Sequence, residues 1–90
     1  MIKVHFFDYG CGVLDIEKEL GIDIDIDRFL TTNIPDLSLE ATDSKNDMED
    51  NAIYLFSANK ENDLCSVIKG LIDTHKQINS NMLYTVEIIN

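Results

Sequence analysis

Apolar and polar positions along this chain repeat with two different periods, and each change of period marks an element. Ile2, Val4 and Phe6 alternate with Lys3, His5 and Phe7, which is the period of a strand with one strongly apolar face and one mixed face. Asp8-Tyr-Gly-Cys-Gly12 breaks that pattern. Val13, Ile16 and Leu20 then recur at helical steps and predict a short helix, stopped at Gly21, a residue that takes the left-handed cap conformation without steric cost. Ile22-Asp-Ile-Asp-Ile-Asp27 alternates like a strand, yet Ile22, Ile26, Phe29 and Leu30 also fit a helix. A second helical turn or two is the favoured reading here, with Asp25 or Asp27 as N-cap and Pro35 ending it.

Leu37-Ser-Leu-Glu-Ala-Thr42 alternates again and predicts a half-exposed strand antiparallel to Ala52-Ile-Tyr-Leu-Phe-Ser57. The join from Asp43 to Asn51 is polar except for Met48 and is long for a hairpin, which marks it as a mobile or partner-facing loop. Leu64, Val67, Ile68, Leu71, Ile72, His75 and Ile78 then form one wide apolar stripe of a helix, with Lys69, Asp73, Lys76 and Gln77 facing away. Met82 to Ile89 returns to β-branched and aromatic types and predicts a last strand. The expected cover for the stripe is the sheet made by its two flanking strands, joined in a right-handed crossover. The order strand, helix, strand, strand, helix, strand predicts an α+β fold of ferredoxin-like β-α-β-β-α-β arrangement. Its first and third strands are central, and two helices lie on one face of an antiparallel or mixed sheet. Residues 1–90 read as one domain, with two open sheet edges at Leu37 to Thr42 and at the final strand.

Composition adds a direction. Hydrophobic residues make up 44% of the chain, enough for a core, while 17 acids against seven bases leave a formal charge of -10. That sign repels phosphate backbones and favours a basic protein or a cation as partner. The excess is uneven: from Asp15 to Asp50, acids far outnumber Lys18, Arg28 and Lys45, whereas the remaining residues are nearly balanced. Apolar runs stay short of the roughly 18 residues of a membrane span, and Met1 to Tyr9 lacks a cleavage pattern, so a cytoplasmic protein is expected. Cys11 and Cys65 lack paired metal spacing and are expected to be reduced thiols.

Each chemical motif falls short of its template. Gly10 and Gly12 follow the first strand as in a cofactor-binding glycine turn, but the third glycine is absent, leaving plain turn residues. Asp23, Asp25 and Asp27 copy the opening of a calcium loop. Arg28 stands where that loop needs glycine, and Ile34 where it needs glutamate, so no metal or cofactor is expected. His5 and His75 show no spacing that would make either a base for Cys11 or Cys65. The aromatics Tyr9, Tyr54, Tyr84, Phe7, Phe29 and Phe56 lack the surrounding bases of an RNA-binding sheet and are expected in the core.

These readings predict a non-catalytic acidic protein that blocks a basic partner, as an immunity protein, an antitoxin or a phage-encoded anti-defence blocker does. The expected partner is a nuclease toxin or another nucleic-acid-handling protein, met through Asp23, Asp25, Asp27, Asp43, Asp47, Glu49 and Asp50, with no direct nucleic-acid or membrane contact. A DNA mimic needs longer regular rows of acids. An interaction module forming a homodimer or larger assembly through an open sheet edge is the expectation from a different class.

Overall fold

Ile2–Phe7 form β1 at the centre of the molecule, and its alternation decides what lies on each side of the sheet. Ile2, Val4 and Phe6 are fully buried, worth about 1.5–3 kcal/mol each, while Lys3, His5 and Phe7 occupy the opposite, half-exposed face. The computed structural model describes residues 1–7, 16–43, 52–76 and 82–89. Its elements are β1, α1 (Ile16–Leu20), α2 (Ile26–Asn33), β2 (Ser38–Asp43), β3 (Ala52–Ser57), α3 (Glu61–His75) and β4 (Leu83–Ile88). The fold is α+β, a four-stranded sheet in the order β2-β3-β1-β4 with every neighbouring pair antiparallel. β1 and β3 are the central strands, and β1 separates β3 from β4, so the two strands flanking α3 do not pair with each other.

All the helices cover one face, because residues from each of them join Ile2, Val4, Phe6 and Phe56 in a single apolar cluster. The fold-level order counts two helices there, and the further helical turns favoured after Gly21 form a third, so three helices lie among the described residues. Gly21, at φ 67°, ends α1, with its N–H on the Lys18 carbonyl at 3.1 Å and the Ile22 N–H on the Glu17 carbonyl at 3.0 Å. That left-handed stop satisfies the last carbonyls of α1 and turns the chain before it can continue. A new helix starts at Ile26, where Ile26, Phe29 and Leu30 face the core. It ends at Ile34, held extended before Pro35.

α3 follows its predicted stripe in part. Ile68 and Ile72 are fully buried, Leu64, Cys65 and Leu71 pack against the same cluster, but Val67 is 47% exposed. Val67 lies about 100° around the helix from Ile68, which puts it at the rim of the buried strip. Ile78 lies outside the described residues. Among those residues no helix is long and apolar enough to cross a membrane.

The two edges of the sheet differ. On β2 the register slips between Leu39 and Ala41, so Glu40 is left without a partner of its own on β3. β4 pairs with β1 without interruption from Leu83 opposite Phe7 to Ile88 opposite Ile2.

Candidate functional site

The strand order separates the charges. α2 packs beside β2 and α3 beside β4. From Ile16 to Asp43 the sequence holds Glu17, Glu19, Asp23, Asp25, Asp27, Asp36, Glu40 and Asp43 against Lys18 and Arg28. The other described segments balance Glu61, Asp63, Asp73 and Glu87 with Lys3, Lys60, Lys69 and Lys76. Among the described residues the excess of acids therefore lies in the segment that holds α1, α2 and β2, and the segments that hold β1, β3, α3 and β4 are balanced together.

Within the anionic side some carboxylates hold the fold together. Glu17 reaches from α1 to accept the Ile26 N–H at 2.9 Å, which satisfies a donor at the start of α2. Asp25 occupies the N-cap position expected of it, yet its side chain makes no capping hydrogen bond. Asp36 accepts the Asn59 N–H at 3.0 Å, the Lys60 N–H at 3.2 Å and the Asn59 side-chain amide at 2.9 Å, pinning the loop before β2 to the start of α3. Glu40 accepts the Ser57 hydroxyl at 2.6 Å. Neither the Glu17 nor the Asp36 link has a signature in the sequence, because each joins residues far from any capping-box spacing.

Asp23, Asp25 and Asp27 are different. Their side chains make no hydrogen bond or ion pair with the described residues; Asp23 and Asp25 are exposed and Asp27 is half-buried. Two of them, Asp25 and Asp27, act on Tyr54, whose ring meets Phe6 edge-on from β3. Burial first, then the charges of Glu17, Asp27 and Asp25, push the Tyr54 phenol up to about 12. Three of the seven sequence-predicted partner residues are thus brought together at the entry to α2. Asp43 ends β2, and Asp47, Glu49 and Asp50 lie outside the described residues.

Among the described residues, the groups with catalytic or metal-binding potential do not converge. No set of three His, Cys, Asp or Glu side chains among the described residues is placed to hold a metal ion. Cys65 and His75 are ten residues apart on α3, about 15 Å along its axis. Burial pushes the Cys65 thiol up, away from the reactive thiolate, with Lys69 opposing and Glu61 adding to the effect. The His75 Nδ1 is 2.9 Å from the Leu71 carbonyl, and its ring lies edge-on to Phe29. His5 stacks on Phe7 on the sheet face away from the helices. Cys11 and Tyr9 lie outside the described residues.

Comparisons with models of protein families, with curated proteins and with solved structures gave no match to this chain.

Proposed function

We propose that this chain is a non-catalytic acidic inhibitor that neutralises a basic nuclease or another nucleic-acid-handling protein, in the manner of an immunity protein or antitoxin. One observation carries the reading: the side chains of Asp23, Asp25 and Asp27 stand together without hydrogen bonds or ion pairs to described residues, while neighbouring Glu17 and Asp36 are committed to the fold. Like charges gathered without compensation lower stability, so such a group is best accounted for by a cationic surface that docks on it. The aspartates would occupy positions that substrate phosphates otherwise take, with Asp43, Asp47, Glu49 and Asp50 extending the contact. Close charge pairs across such an interface reach about 1.5–7 kcal/mol in a nuclease and inhibitor pair. The strand order, with β1 and β3 central, supports a ferredoxin-like arrangement as the scaffold, and that scaffold is neutral about function.

The experiment is capture by the immobilised chain at low and high salt, followed by nuclease assays on what is retained. The expected result is a basic protein bound at low salt, released at high salt and inhibited by the chain. Joint reversal of Asp23, Asp25 and Asp27 to lysine relieves that inhibition while circular dichroism stays unchanged. A partner whose binding ignores both salt and this reversal rules the reading out.

A further inference from the structure

The free edge of β4 is built differently from that of β2. β2 carries a register slip at Glu40, which disrupts its outer row of backbone groups. β4 has no slip, and no described strand lies beyond it. The Ile89 N–H meets the Met1 carbonyl at 2.8 Å and the Met1 amine meets the Ile89 carbonyl at 3.1 Å, so residues 89 and 1 exchange both bonds. By the alternation of an antiparallel ladder, Glu87, Thr85 and Leu83 also turn their backbone groups towards β1. Tyr84, Val86 and Ile88 then turn theirs outward.

We propose that this edge pairs with the same edge of a second copy of the chain, antiparallel and two-fold symmetric about Val86. In that register Tyr84 lies opposite Ile88 of the second copy, Leu83 opposite its Ile89 and Thr85 opposite its Glu87. Aromatic and aliphatic side chains meet aliphatic ones, and a hydroxyl meets a carboxylate. The outward N–H and C=O groups of Tyr84, Val86 and Ile88 all find partners. Leu83, 62% exposed, and Ile88, 40% exposed, are covered together.

Charge selects a second copy as the occupant. A chain of net charge -10 repels itself over most of its surface, while among the described residues the charges near this edge have neighbours of opposite sign. The one charge on β4, Glu87, is 3.5 Å from the Lys3 ammonium. On α3 the two residues that Tyr84 reaches, Lys69 through its carbonyl and Asp73 through its carboxylate, bear opposite signs. The anionic group around α2 lies on the other half of the molecule and takes no part, so this pairing is independent of the proposed inhibitory role.

Sedimentation equilibrium of the full chain tests the pairing, with twice the 10.2 kDa chain mass expected. Ile88→Lys and, separately, Leu83→Lys should raise the concentration at which half the chains are paired by at least about tenfold. Both side chains are exposed, so circular dichroism should be unchanged. In a Cys11→Ser, Cys65→Ser background, Val86→Cys should form an intermolecular disulfide on mild oxidation, since Cα atoms of such a bonded pair are about 5.5 Å apart. A chain that stays monomeric overturns the proposal and leaves the edge to a different protein's strand. So does a dimer that ignores both lysines and fails to cross-link at position 86.

Discussion

Asp23, Asp25 and Asp27 around the start of α2 and Asp73 and Glu87 around β4 are carboxylates of one small chain, yet they are treated in opposite ways. Asp73 accepts a hydrogen bond from the Tyr84 hydroxyl at 2.5 Å, and Glu87 has Lys3 beside it. The three aspartates at α2 have no such company among the described residues, and two of them are exposed. On the α3 and β4 side Glu61, Asp73 and Glu87 thus each have a described partner, and apolar side chains stand at a regular edge. The α2 and β2 side meets its backbone needs with Glu17 and Asp36 and leaves a negative field outside. In this chain, charge close to balance goes with an edge fit for pairing, and charge in excess goes with an edge that is kinked and blunted.

The largest test of that contrast removes what the two sides share. Phe6 touches Tyr54 of β3 and Tyr84 of β4 from the middle of the core. Phe6→Ala should cost about 3–5 kcal/mol in chemical denaturation and loosen both sides in one transition; a loss confined to one side would show that the halves are energetically separate. Asp36→Ala breaks the tie between the loop before β2 and the start of α3. It should cost about 1–3 kcal/mol, measured by urea unfolding, because backbone donors of Asn59 and Lys60 lose a charged acceptor. Gly21→Ala places a Cβ at φ 67°, with an expected loss of about 1–2 kcal/mol in the same assay.

The smallest effect is a pH dependence that belongs to the anionic side. The Tyr54 phenol goes from 10.0 in the unfolded chain to about 12 in the fold, by burial first and the nearby carboxylates second. Below pH 10 both states hold the proton and the contribution is fully present. Between pH 10 and 12 the unfolded chain loses its proton first, so stability falls as pH rises. Solvent screening keeps the effect modest. Thermal melts at pH 9 and 11 should show a decline that is shallower in Tyr54→Phe, and shallower by a smaller amount when Asp25 and Asp27 alone are made asparagine.

Much of the scaffold was legible in the sequence, for stated physical reasons. Period-two alternation located β1 and the Leu37 to Thr42 edge, β-branched and aromatic runs located β3 and β4, and the Gly21 stop followed from the one residue type suited to a left-handed cap. Helical spacing found α3 but made its stripe too wide, since Val67 counts as apolar in any pattern while its angle around the axis leaves it half in water. The division of the first helical region into α1 and α2 was legible in the Gly21 stop and the Asp25 N-cap position, while the aspartate ladder, which satisfies both periods, left a strand reading of Ile22 to Asp27 open beside it. The uneven charge was readable as a count. Which acids were structural was not, because the bonds of Glu17 to Ile26 and of Asp36 to Asn59 depend on chain crossings that linear order does not encode.

The slip at Glu40 also limits what the sheet can become. A β-sheet with two regular margins can recruit strands from either end and extend without limit into a fibril. Among the described residues, this one has a single margin without a slip. If that margin pairs as proposed, lateral growth is expected to terminate after one addition, because the misaligned Glu40 leaves the other margin irregular.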